Sequence, residues 1–343
     1  MGRMNEELIR QVFAEMLKYR PSLQKYVFED EEEDEDTADY RLLGDLIIKN
    51  FPWPIGVELR RLFSGSMRQL DRLRLDQIFK TIERTMQFIS FVLVSQLWKE
   101  KVIRNITLPE NFSRDFPSKW SVLSMGIYTW LIHSICKIFQ SENIPYFMPE
   151  MEENLNKKFH SELDFWVPER NEIGHYQINL SKEEIEKRCV EYEEKLTWIL
   201  KKIAFLTKYK LISVKEIKVD KSRTTAAIFH HTIELLNSSD SDFKGREIDE
   251  NKYSESRSVL LMKSIKSIEE YLNLSPLIID TSSEILDTKE KFDIKKDIFL
   301  YTKYRNDHIY YLGTEVTEQC DLQSLSNYAN LLSEYKDLIE TLK

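Results

Sequence analysis

Apolar side chains recur at steps of three and four up to about residue 209, and from Leu211 they alternate with polar ones. The first period is that of a helix and the second that of a strand, so the chain divides into a helical part and a β part. Residues 5–19 read as one amphipathic helix. The run FPWP at 51–54 makes an extended corner, after which VELRRLF turns helical. Over residues 74–99 the positions Leu75, Ile78, Phe79, Ile82, Met86 and Ile89 give a helix with one broad apolar face. A loop rich in Pro, Asn and Ser is expected over 108–118, then a helix over 120–139 and another over 153–163. Ser181 and Glu184 have the spacing of a capping box and open the best-signalled helix. Its seam, Ile185, Cys189, Tyr192, Leu196, Ile199, Ile203 and Leu206, calls for a helix lying alongside, in the same bundle or in a second subunit.

Strands are expected at LISVKEIKV, TTAAIFHHTI, RSVLLM and SPLIID, with turn-forming clusters between them. DIFLYTKY and HIYYL flank Arg305-Asn306-Asp307 and form the clearest hairpin. LQSLSNYANLLSEYKDLIETL closes the chain as an amphipathic helix. The expected class is therefore α+β. A helical bundle covers 1–209, and a small antiparallel β domain with a C-terminal helix covers 210–343, the boundary lying between Tyr209 and Leu211.

Composition adds limits. With 343 residues, 42% of them hydrophobic, the chain can fill two cores. Its formal charge is -9, but the acidic run EDEEEDED at 29–36 supplies eight of those charges and leaves the rest near neutral. Such a run is a solvated loop, or else an acidic mimic of a phosphate backbone that occupies a basic site. Cys136, Cys189 and Cys320 are odd in number and lack zinc-site spacing, which implies buried thiols in a reducing compartment. The opening MGRMNEELIRQVF carries acids and no long apolar core, so no secretory signal is read and the cytoplasm is expected. The seventeen uncharged residues from Trp120 to Cys136 include five polar side chains and fall short of a span, so they read as a buried helix with no membrane role. No dinucleotide fingerprint or P-loop occurs, and no cofactor or metal is expected.

The chemically suggestive motif is RNEIGH over residues 170–175. With eighteen arginines and six histidines in the chain, about one Arg-to-His match of this kind is expected by chance, and Arg223 with His230 is a decoy of that sort on a predicted strand. Requiring Asn after the Arg lowers the expectation to about one in twenty. Pro168 suits a first helical position and Glu169 a first turn. On a helix Asn171 and His175 then share a face, with Arg170 reaching round. His175 is suited to proton transfer near neutral pH, and Arg170 offers a fork of donors for phosphoryl oxygens. The alternative is a satisfied polar pair of Asn171 and His175 inside a bundle, with Arg170 held by Glu169 or Glu172. His133 reads as a core residue, and His230 and His231 point to opposite faces of a strand.

The Arg-Asn-x3-His pattern resembles the HEPN superfamily, small helical domains many of which cut RNA without metal. Beyond it, FPWPIGVELRRLF, WVPERNEIGHY, ILKKIAFLTKYKLISV and LSPLIID with DIFLYTKYRNDHIYYLG resemble the HEPN-like helical plus β region of large bacterial conflict and phage-defence proteins. That resemblance implies a toxin or antiviral-defence ribonuclease with Arg170, Asn171 and His175 at its site. It also implies RNA as substrate, and a homodimer or a HEPN partner chain that brings a second His into one cleft. Its alternative implication is a non-catalytic dimerisation or sensor subunit, recruited with a protein partner in a defence complex. The chain ends at Lys343 without the effector those proteins append, and Tyr176 stands where many members have Gly.

Overall fold

The computed structural model describes residues 5–26, 39–175, 180–236, 245–283, 297–315 and 319–343, without the side chains of 173–175. The protein is α+β, with a helical N-terminal region, two antiparallel sheets and a C-terminal helix. It forms two compact units. The described residues of the first fall in Met1–Phe88 and Met148–Tyr209, and the second comprises Ile89–Phe147, Lys210–Leu236 and Asp242–Lys343. One edge thus lies at the expected change near residue 209, while the helical residues Ile89–Phe147 group with the sheets. The acidic run at 29–36 lies outside the described residues.

In the first unit, α1 (Glu6–Tyr19) buries Leu8, Ile9, Val12, Phe13 and Met16, the face its spacing predicts. Asp39 caps α2 (Tyr40–Asn50) by accepting from Arg41 N at 2.8 Å. Phe51 and Pro52 are extended, and α3 (Trp53–Leu62) begins with Pro54 in its first turn, where the missing N–H costs no helical bond. The long helix α4 (Arg72–Arg104) differs from expectation: Phe88, Ile89, Phe91, Val92, Leu93 and Val94 are all buried, so its middle is covered on every side. After the short α7 (Glu150–Asn154), α8 runs from Lys157 to His175. It replaces the expected helix over 153–163 and passes through Pro168, which is interior rather than first. Phe159, Leu163 and Trp166, four and three apart and all buried, hold it across that proline.

The capping box of α9 (Lys182–Lys202) is formed in both directions, Ser181 N donating to Glu184 at 2.8 Å and Glu184 N to Ser181 Oγ at 3.2 Å. Ser181→Ala should lower stability by about 1 kcal/mol in urea denaturation, and an unchanged midpoint would show the cap to be idle. The seam of α9 packs against α1 and α8 of the same chain, with Cys189, Tyr192, Leu196 and Ile199 buried. It needs no second subunit. Below it Arg74, fully buried, pairs with Glu193 and donates to Asn5 Oδ1 at 2.9 Å and to Met67 O at 2.6 Å.

In the second unit, the segment expected as a loop is the helix α5 (Glu110–Trp120). Phe112, Phe116 and Trp120 are four apart, bury together and stack at 5.4 and 5.3 Å, which outweighs the Pro, Asn and Ser around them. Trp120 therefore ends one helix, and α6 (Met125–Ser141) starts the next. Between them Val122 bridges to Lys303, and Tyr304 N donates to Ser121 O at 2.8 Å. The strands are β1 (Lys210–Asp220), β2 (Ile228–Leu235), β3 (Gly245–Glu250), β4 (Val259–Met262), β5 (Tyr271–Asn273), β6 (Ile278–Asp280), β7 (Ile298–Arg305), β8 (His308–Gly313) and β9 (Gln319–Cys320). They form one sheet of order β3-β2-β1-β4-β5 and another of order β6-β7-β8-β9, every pairing antiparallel.

Asn306 and Asp307, at φ 52° and 63°, make the two-residue turn between β7 and β8, in the left-handed region such turns require. A bulge in β1 falls between Val214 and Glu216. It turns Lys215 inward, where it meets Asp280, Ser282 and, at 3.0 Å, Glu234. The C-terminal helix α10 (Tyr328–Leu342) buries Leu331, Tyr335, Leu338 and Leu342. Its Tyr335 hydroxyl hydrogen-bonds that of Tyr301 at 2.8 Å, and Tyr301 donates to Trp120 O at 2.7 Å. No described helix is long and apolar enough to cross a membrane.

Candidate functional site

Arg170 and Asn171 stand on the last turns of α8, and both are exposed. His175 ends the same helix, four residues and so about one turn beyond Asn171. Its side chain lies outside the described residues.

What fixes this end of α8 is an aromatic cluster one turn earlier. The buried Trp166 meets Phe79 of α4 edge-on at 5.6 Å and Tyr192 of α9 at 5.4 Å, and Phe165 meets Tyr192 at 5.7 Å. Such pairs contribute roughly 0.5–1.5 kcal/mol each beyond the area they bury. Arg170 therefore rises from an anchored helix, not from a loop.

The carboxylates beside it are engaged from α9. Arg188 donates to Glu172 Oε1 at 2.7 Å and lies 3.7 Å from Glu169, while the Tyr192 hydroxyl donates to Glu169. The bond to Glu172 raises the Arg188 pKa further, so its charge is permanent. Burial, and then the bond to Glu169, hold the Tyr192 phenol above its ordinary range, which keeps it a donor. Glu169 thus sits in the helix interior and not in a first turn. Neither acid pairs with Arg170, which has no ion pair or hydrogen bond to a described residue.

Arg188 and Tyr192 were not singled out by the sequence. Tyr192 belongs to the α9 seam, and its spacing showed burial but not its polar end. Arg188 lies four residues after Glu184 on a face with no pattern of its own, and only the docking of α8 gives it a task.

The other histidines are placed apart from this site. His231 is buried, its Nε2 accepting from Ser254 N at 3.2 Å, while His230 faces outward to Asp249 at 2.7 Å. The decoy Arg223 lies before β2, in the connection rather than on the strand. His133 is half-buried on α6, and His308 faces Gln323. Among the described residues no three His, Cys, Asp or Glu side chains are grouped to hold a metal ion. The cysteines are unbridged, Cys136 and Cys189 buried and Cys320 half-buried, so Cys320 departs from the expected burial. Burial pushes the thiols of Cys136 and Cys189 up to about 11.

Comparison with protein-family models, with curated proteins and with solved structures found no match to this chain.

Proposed function

We propose that the protein is a metal-independent endoribonuclease of the HEPN type, with Arg170 and His175 as its reactive groups and Asn171 orienting them. The observation that carries this reading is the division of charges at the end of α8. Arg188 takes both neighbouring acids, and Arg170 is left exposed on an anchored helix beside Asn171. An arginine there would ordinarily fold back onto Glu169 or Glu172. Held apart from them, it is available to an external anion, and its planar donors fit a phosphoryl group.

In the proposed reaction His175 takes the proton of a ribose 2′-hydroxyl, whose oxygen attacks the adjacent phosphorus. Arg170 stabilises the charge that develops on the phosphoryl oxygens, and the 5′ oxygen leaves with a proton. A second copy of the motif, in a homodimer or from a related chain, would supply that proton. The setting is a cytoplasmic toxin or phage-defence system.

The test is cleavage of single-stranded RNA in the presence of EDTA, with 2′,3′-cyclic phosphate ends and with DNA of the same sequence as a control. His175→Ala should lower the rate by about 10²–10⁴, the usual range for a positioned acid–base group. Arg170→Ala should lower it by about 10²–10³, and Asn171→Ala by less. Circular dichroism and light scattering should show fold and oligomer unchanged. Equal cutting by His175→Ala, Arg170→Ala and parent would defeat the proposal. If nothing cuts and Arg170→Ala breaks a dimer or a partner complex, the non-catalytic reading replaces it.

A further inference from the structure

In the second unit a polar cavity of about 300 Å³ opens between α10 and the segment leading into β4. This is the lower end of the roughly 300–1,000 Å³ usual for small-molecule sites, so its occupant is small. From α10 the cavity is lined by Asn327, Asn330 and Glu334, which the helical repeat puts on one face. The opposite side brings Arg257 with the hydroxyls of Ser256 and Ser275.

The α10 side is a set of acceptors with nothing to accept. Asn327 Oδ1 is buried without a hydrogen-bond partner, and the Glu334 carboxylate has no ion pair or hydrogen bond to a described residue. Burial, and then the like charge of Glu255, raise the pKa of Glu334, so a cation brought there would be welcomed twice over. A buried acceptor left without a donor is costly, and a ligand that supplies one recovers that cost.

Arg257 is the counterpart. Its backbone is left-handed, φ 58°, a conformation uncommon for a residue with a side chain. Two bonds hold it there: Arg257 N donates to Val214 O at 3.0 Å, and Val214 N donates to Ser258 O at 3.0 Å. The β1 bulge that begins at Val214 thus fixes the backbone that carries the guanidinium to the cavity wall.

Acceptors on one wall and a guanidinium on the other ask for a small zwitterion. We propose that this cavity binds a free α-amino acid, its ammonium on Glu334 and Asn327 and its carboxylate on Arg257. An ammonium offers three donors to the two acceptors, and a carboxylate matches the fork of an arginine. The inference stands on the second unit alone and does not depend on ribonuclease activity.

The experiment is differential scanning fluorimetry of the full chain with each of the twenty L-amino acids at millimolar concentration, followed by titration calorimetry of those that respond. At least one should raise the melting temperature in a saturable way, since a ligand that binds only the folded state stabilises it. Its decarboxylated amine and its 2-oxo acid, each lacking one of the two charges, should have no effect. Glu334→Gln and Arg257→Gly should each weaken binding at least about tenfold, the cost of one charge-assisted contact. Glycine is the choice at 257 because it accepts the left-handed backbone. The proposal falls if no amino acid shifts the melting temperature, if the amine or the oxo acid works as well, or if both folded variants bind like the parent.

Discussion

Glu193→Ala is expected to cost about 3–5 kcal/mol of stability, the range for removing one partner of a buried ion pair. Arg74 has no exposed surface, and its charge in the first unit is met by Glu193, by Asn5 Oδ1 and by Met67 O. Without the carboxylate the guanidinium keeps its two neutral acceptors but loses its counter-charge, and Asn5 N loses the acceptor it has at 3.3 Å. The loss should appear as a lower urea midpoint by circular dichroism at unchanged slope. A change below about 1 kcal/mol would mean that water or a shift of α1 replaces the carboxylate.

Asp280→Ala is expected to cost about 3 kcal/mol for the same reason in the second unit. Lys215 has 7% of its side chain exposed and Asp280 2%, and the remaining partner, Glu234, is 28% exposed and therefore better solvated. Lys215→Met combined with Asp280→Leu should recover most of the loss, because an apolar pair leaves no charge stranded. If the double variant is as unstable as Asp280→Ala alone, the bulge depends on the lysine itself and not on the balance of charge.

How much of this was legible beforehand differs from element to element. The cap of α9 and the turn at Asn306-Asp307 depend on residues that are neighbours in sequence, and both were read correctly. At α5 the local signal misled: Pro109, Asn111, Ser113, Pro117 and Ser118 suggest a loop, but three aromatics four apart supply the packing that decides. At α8 the proline was taken for a start because Phe159, Leu163 and Trp166 gain their weight only from α4 and α9. Strand β3 (GREIDE) went unseen, since an edge strand with one buried residue, Ile248, shows little alternation. At the candidate site the motif could be found, but the fate of its acids could not. That fate depends on Arg188, eighteen residues past Arg170, and on the pairing of two helices.

The two deeply placed thiols offer a way to time the opening of each unit. Cys189 belongs to the first unit and Cys136 to the second, and the ionised form that reacts with an alkylating reagent is scarce in both. Each can be modified only when its surroundings come apart, while the half-buried Cys320 sets a faster reference. Pulse alkylation read by mass spectrometry would therefore give two separate clocks from one native chain, with no engineered label. Glu193→Ala should hasten the first and Asp280→Ala the second.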